Sequence, residues 1–207
     1  MLEHETRARG LRIDLPIELE GTAVRLEPLR REHAGELASV GGDEEIWRYL
    51  MYPLPADQAG YLRYVESARA LAQTGSIIPF AIVDRASGRA IGSTRYMDIA
   101  PADLMLEIGG TWLGRAYWRT RVNTECKYLL LRHAFERMGA VRVQLKTDQR
   151  NERSQAAIAR LGAVREGVLR RHRRTPEGYQ RSSVMFSILD DEWPAVKARL
   201  EDALARS

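Results

Sequence analysis

The stretch Trp118–Phe135, WRTRVNTECKYLLLRHAF, is a polar turn that opens without a spacer into an apolar-striped segment. Val122, Cys126, Leu130, Ala134 and Met138 recur every four residues with Leu129 beside them, so the spacing predicts a helix of about four turns that Gly139 stops. The first turn of a helix leaves backbone N–H groups without intrahelical partners, and the helix dipole adds partial positive charge at the same end. A polar turn feeding that end is expected to hold an anion, most naturally a phosphorylated ligand. On spacing alone the stretch also reads as an ordinary helix start with solvated arginines. Its flanks decide between the two.

Downstream, VRVQLKT alternates as a strand, and NERSQAAIARLG reads as a compact helix closed by Gly162. VREGVLRRHRR and RSSVMFSIL form a strand pair around PEGYQ, and DDEWPAVKARLEDAL is an amphipathic closing helix. Upstream, MLEIGGTWL is a strand that follows the hairpin IIPFAIVDR, SGR, AIGSTRYMDI and an APAD turn. Ala56–Gln73 has helical spacing through Tyr61, Leu62, Val65, Ala68 and Ala72, ended by Thr74 and Gly75. Before it, Asp43 is a plausible N-cap for a short helix, EEIWRYL; REHAGELASV is another helix, and TAVRLEPLR places a strand near Ala23–Glu27. Hairpins followed by crossovers through helices predict an α+β architecture, a mixed α/β sheet with helices on both faces.

The 207 residues suit one domain over 1–207, with a poorly committed arm over 1–20, and a chain of this size needs no disulfide staples. Cys126 is the only cysteine, which excludes an internal disulfide or a multi-cysteine metal site and suits a cytoplasmic setting. Its place in the apolar stripe reads as core packing rather than as a nucleophile. His4, His33, His133 and His172 show no metal-pair spacing, so no metal is expected. The N-terminal MLEHETRARGLRIDLPIE lacks the apolar centre of a signal peptide, and nowhere are there the roughly 20 apolar residues of a membrane span. A net charge of +4 favours anionic ligands without arguing for nucleic acid. The run Arg170-Arg171-His172-Arg173-Arg174 reads as a basic edge hairpin ahead of a nucleic-acid contact.

Several short motifs then fall in order over nearly the whole chain. They are Glu107-Ile108-Gly109 through Trp112-Leu113, Asn123-Thr124-Glu125-x-Lys127, Lys146-Thr147-Asp148 with Asn151-x-x-Ser154, Leu161-Gly162-Ala163, Glu166-Gly167 and Glu192-Trp193-Pro194. Together they resemble the GCN5-related N-acetyltransferase (GNAT) superfamily, in the branch similar to the ribosomal-protein N-terminal acetyltransferases (RimJ/RimL-like). The resemblance implies a mostly antiparallel, twisted sheet of about seven strands, with residues 105–162 as the core that binds acetyl-coenzyme A (acetyl-CoA). It also implies direct acetyl transfer from the thioester to a primary amine within a ternary complex, no metal, and a possible homodimer.

In that superfamily the loop before the long helix resembles Gln/Arg-x-x-Gly-x-Gly/Ala, and its backbone N–H groups hold the cofactor pyrophosphate. The aligned hexad here is Trp118-Arg119-Thr120-Arg121-Val122-Asn123, which departs from the pattern at Trp118, Arg121 and Asn123. Arg121 gives up a glycine's freedom and adds a guanidinium able to pair with an anion. The resemblance assigns Arg119, Thr120, Arg121, Val122, Asn123 and Thr124 to the cofactor, with Arg115 adding charge.

Acetyl transfer needs a neutral amine, so a carboxylate or an ordered water must take its proton. By resemblance, Glu107 holds the place of the general base; otherwise it is a strand glutamate in a salt bridge or facing solvent. Burial would raise its pKa toward the useful range. Where relatives carry a tyrosine that protonates the thiolate, this chain has Ile158. Ser154 takes the place of a serine that hydrogen-bonds the thiol sulfur, and Asn151 is assigned to the pantetheine arm or the substrate. Both read equally as a helix-start network with Asn151 as N-cap. The strand end at Trp112 and Leu113 supplies backbone to the cofactor, with the Leu113 N–H as oxyanion donor and Gly109 and Gly110 letting the strand bend. The side chains of Trp112 and Trp118 serve as cleft walls or core, and Trp47, Tyr49 and Tyr52 as acceptor pocket or core. The acceptor itself stays open among a protein N-terminus, an amino acid, a polyamine and an aminoglycoside. A non-catalytic acyl-CoA sensor or scaffold of the same fold is the alternative function.

Overall fold

A computed structural model of the protein describes residues 10–206. In chain order the elements are β1 (Leu19–Glu20), β2 (Val24–Pro28), α1 (His33–Val40), α2 (Glu44–Trp47), α3 (Gln58–Gln73), β3 (Ile77–Asp84), β4 (Ala90–Ala100) and β5 (Met105–Leu113). They continue with α4 (Arg121–Glu136), β6 (Arg142–Asp148), α5 (Glu152–Leu161), β7 (Val164–Arg174), β8 (Gln180–Leu189) and α6 (Trp193–Ala205). The strands form one eight-stranded sheet in the order β1-β2-β3-β4-β5-β6-β8-β7. Every pairing is antiparallel except that of β5 with β6.

Local chemistry sets the helix ends. Asp43 and Asp57 cap α2 and α3, their carboxylates accepting from Glu45 N and Gly60 N. Asn151 caps α5 by accepting from Ser154 N, and Gly162 ends it at φ +103°. The long helix α4 starts at the Thr120 cap and stops at Glu136, so Met138, expected in its stripe, lies just beyond it and is buried.

Alternation along β3, β4 and β5 divides the core between the two faces of the sheet. On one face Leu37, Trp47, Tyr61, Tyr64, Val65 and Trp112 pack under α1, α2 and α3. On the other, Leu26, Ile91, Leu106, Ile108, Leu130 and Val184 pack under α4, α5 and α6. Burying a side chain of this size stabilises the fold by ~1.5–3 kcal/mol.

The eighth strand, β1, lies in what the sequence marks as an uncommitted arm. Residues 1–9 of that arm lie outside the described residues, but Leu11, Ile17 and Leu19 are buried. The segment is tied down by Leu11 N donating to Pro101 O at 3.2 Å and Arg12 N to Met138 O at 2.9 Å. Its apolar residues follow no helical or strand period, so only long-range packing reveals their place.

The parallel pairing of β5 with β6 is short, running Met105↔Arg142, Leu106↔Val143 and Glu107↔Gln144. Beyond Glu107 the strands part: β5 continues against β4 alone, and β6 against β8 as far as Asp148. The split coincides with the glycine pair. Gly110 sits at φ +57°, and a Cβ there would come within 2.7 Å of Arg95 Nε. A Cβ on Gly109 would meet Met97 Sδ at 2.6 Å and Glu107 Oε1 at 2.7 Å. Only glycine lets β5 bend away here.

Candidate active site

The split opens into a cleft of about 850 Å³ whose walls come from β5, β6, the α2–α3 connection and the N-terminal ends of α4 and α5. Helical spacing divides α4 into functional stripes. Val122, Cys126, Leu129 and Leu130 face the core, whereas Asn123, Thr124 and Lys127 line the cleft. Thr120 caps the helix, its Oγ1 accepting from Val122 N at 3.3 Å and donating to Tyr117 O at 2.8 Å. A first-turn N–H such as that of Asn123 has no place in the helical ladder, the geometry that suits an anion.

Trp118 fastens the incoming loop, its Nε1 donating to Leu113 O at 2.9 Å, and the Arg153 guanidinium stacks 3.8 Å from its ring. The loop's glycine-like conformation falls on Arg119, at φ +61°. Arg121, aligned with the family glycine, is the first residue of α4 and is not among the positive-φ residues. Its Nη2 donates to Thr22 Oγ1 at 2.8 Å, on the side of α4 away from the cleft.

Glu107 lies at the root of the split and is 1% exposed. Its Oε2 accepts from Lys146 Nζ at 2.8 Å and Gln144 Nε2 at 3.0 Å. Burial pushes its carboxyl above the ordinary glutamate value, and Lys146 and Gln144 offset only part of that rise. Lys146 is shared, since its Nζ also meets Asp98 Oδ2 at 2.9 Å.

Buried Lys127 donates to Thr111 Oγ1 at 2.7 Å, and Thr111 contacts Thr94 Oγ1 at 2.8 Å. Burial pushes the Lys127 ammonium down to about 8. Arrangements of this kind, a desolvated carboxylate at the bend of a split strand and a helix N-terminus across the gap, suit proton abstraction beside a bound anion.

Residues 23–164 match the family model described as the acetyltransferase (GNAT) domain. The protein is a member of the GNAT family. Its activity is that of an N-acetyltransferase. A GCN5-related N-acetyltransferase from Brucella melitensis is 29% identical, with a TM-score of 0.87 over 94% of this chain and 88% of that one. A T. thermophilus protein of inferred acetyltransferase activity is 42% identical, with a TM-score of 0.83 over 93% of this chain and 100% of that one. RimJ of Mycobacterium smegmatis, in complex with CoA-disulfide, shares the fold at 20% identity, with a TM-score of 0.78 over 91% of this chain and 95% of that one. Among curated proteins none matches the sequence.

Within this GNAT fold, Glu107, Trp112, Leu113, Arg119, Thr120, Asn123, Thr124, Asn151 and Ser154 all border the cleft. Arg121 and Val122 do not: Arg121 reaches to Thr22, and Val122 is core. Trp112 borders it as a core residue, its Nε1 donating to Tyr64 Oη at 3.2 Å within the Trp47–Tyr61–Tyr64 cluster. Arg115 is held by Asp43 at 2.6 Å. Asn151 serves as a cap, while Ser154 Oγ borders the cleft and has no hydrogen-bond partner among the described residues.

Cys126 is fully buried, and burial pushes its thiol up to about 12. Among the described residues no group of three or more His, Cys, Asp and Glu side chains could hold a metal, and no helix is long and apolar enough to cross a membrane. The basic run Arg170–Arg174 lies on β7, the edge strand of the sheet.

In the sequence Lys127 and Lys146 stand only as letters within motifs, and nothing local marks Thr111, Arg95 or Arg181 as part of a site. For Lys127 a signal existed, since it lies four residues after Asn123 and so shares its helix face. The others are brought together only by strand pairing.

Proposed function

We propose that this protein moves the acetyl group of acetyl-CoA to a primary amine by direct attack in a ternary complex. The observation that carries the reading is the split between β5 and β6, with desolvated Glu107 at its root and the open first turn of α4 across the gap. Acetyl-CoA supplies an activated thioester. The first-turn N–H groups of α4, with Asn123 and Thr124, hold the pyrophosphate end; that RimJ of the same fold was captured with CoA-disulfide supports a coenzyme A ligand. Glu107 takes the proton from the attacking amine. A C–N bond forms at the thioester carbonyl, the C–S bond breaks, and the Ser154 hydroxyl hydrogen-bonds the departing sulfur. The Leu113 N–H faces the carbonyl oxygen as it gains charge. Cys126, buried with its thiol pushed up to about 12, is no acyl carrier, which supports direct transfer.

Calorimetric titration with acetyl-CoA, followed by thiol release over a panel of primary amines, tests the proposal. Saturable binding below millimolar cofactor and amine-dependent thiol release are expected. No binding up to millimolar acetyl-CoA would overturn it.

A further inference from the structure

A second cavity, of about 390 Å³, lies between the α2–α3 connection and α3, and Tyr52 lines both it and the cleft. Most of its wall is apolar, with Pro53, Leu54, Pro55 and Leu71, but Arg95 enters it from β4. Arg95 is 1% exposed. Its Nη2 donates to Tyr64 Oη at 3.1 Å, and the guanidinium carbon stands 4.8 Å from the Tyr52 ring centre and 5.9 Å from that of Tyr64. Among the described residues no carboxylate pairs with it, and its buried Nε has no hydrogen-bond partner. Withdrawing a guanidinium from water without a counter-charge is costly, and two aromatic faces return only part of that cost. Among the described residues the guanidinium is left without a counter-charge.

Register places that gap relative to the chemistry. Met97 of β4 faces Glu107 of β5, and Arg95, two residues along β4 on the same face, faces Gly109. Two strand residues span ~7 Å, and the facing position carries no side chain. An amine nitrogen at Glu107 and an acidic group at Arg95 could therefore belong to one small molecule or one terminal residue. A second cation supports the same sign of ligand. Arg181 lines the cleft at 6% exposure; its Nη1 donates to Tyr49 O at 3.3 Å, and its Nε also lacks a partner. Asp148, the acid that acts on it most strongly, is already engaged by Arg150 at 2.8 Å.

We infer that the acceptor is an acidic amine, a primary amine with a carboxylate a few bonds away, whose carboxylate Arg95 holds while Glu107 takes the amine proton. The inference rests on the acetyl-transfer reading above and narrows it to one acceptor class. Arg95 is then a specificity-determining residue, and cationic acceptors such as polyamines are disfavoured by the same charge. Two sources share this chemistry: a free acidic amino acid, and a peptide N-terminus whose first residue is acidic.

The test uses a C-terminally amidated peptide beginning with Glu, its twin beginning with Gln, free glutamate and spermidine. Thiol release should favour the Glu peptide over the Gln peptide by ~10- to 100-fold in kcat/KM, the range of a charge-assisted hydrogen bond. Arg95→Met should collapse that ratio to within about twofold, chiefly through KM, and Arg95→Lys should keep part of it. Preferred turnover of free glutamate over the peptide would assign the small-molecule source, and the reverse the protein source.

Equal kcat/KM for the two peptides in the unmodified protein would overturn the inference. So would an acid preference that survives in folded Arg95→Met. Calorimetry of the same peptides on the coenzyme A-loaded protein reads the subsite without turnover and without any variant. Tighter binding of the acidic peptide with no acetylation of any amine would sink the acetyl-transfer reading alone. Acetylation without acid preference would sink the acceptor assignment alone.

Discussion

Glu107 on β5 and Glu125 on α4 are withdrawn from water almost equally, at 1% and 3% exposure, yet their carboxyls shift in opposite directions. Burial pushes both up, and more at Glu107, whose carboxyl has more protein around it. At Glu125 it is overcome by a ring of donors: Thr22 N and Oγ1 at 2.7 Å, Ala23 N at 2.7 Å and Val24 N at 2.9 Å. Glu107 has one amide and a lysine that it shares with Asp98, and burial wins. Donors and depth together decide whether a buried carboxylate is a clamp or a base. The two glutamates are therefore expected to fail in different ways when altered.

The largest effect is expected from Glu107→Gln, which should lower kcat by ~10²- to 10⁴-fold, the scale of general-base catalysis. Stability should change little, because Lys146 keeps Asp98. In the unaltered protein kcat/KM should fall as pH drops through a value above the ordinary glutamate pKa, because a protonated Glu107 cannot accept the amine proton. A pH–rate profile in which the variant keeps that acidic limb would break the comparison.

Glu125→Ala should do the reverse, costing ~2–4 kcal/mol of unfolding free energy, read by denaturant titration, by leaving charge-assisted bonds unmade. Its folded-state pKa is lowered, so its contribution is fully present above the ordinary glutamate value and is lost as pH falls through the folded value. Acid titration of unfolding should thus separate Glu125→Ala from the unaltered protein near neutrality and bring them together in strong acid. The smallest effect concerns the loop between the two carboxylates. Arg119→Gly should raise stability by up to ~1 kcal/mol, measured by thermal melting, since φ +61° suits glycine.

Features written into adjacent residues were the ones that could be read from the chain. The four-residue stripe of α4, the caps at Asp43 and Asn151 and the stop at Gly162 all act within a few positions, so a single stretch declares them. The two-residue β1 has too little length to show a period, and it exists only because β2 pairs with it. Arg95 occupies what alternation reads as a polar strand position, and only the α3 layer above it turns that position into core. Motif alignment drew attention to Arg121 as the missing glycine, whereas the left-handed backbone is at Arg119, because a helix start can shift its strained residue by one turn of the loop. Glu107 was visible through its spacing to the loop, but Lys146 and Gln144 reach it from β6 and Arg181 lines the same cleft from β8, strands whose order in the sheet no local pattern encodes.

The Glu125 clamp also bears on which mutations this protein tolerates. Gly21 sits in a surface turn, the sort of place where substitutions usually pass unnoticed, yet a Cβ there would come within 2.6 Å of the Glu125 carboxyl carbon. That carboxyl is pinned by its donors and has nowhere to retreat. A conservative change to alanine would therefore press on the helix that begins at the Trp118–Thr120 loop, about a hundred residues away in sequence. In a mutational scan this outer turn should behave like a core position, and loss of cofactor affinity at Gly21 would be the sign.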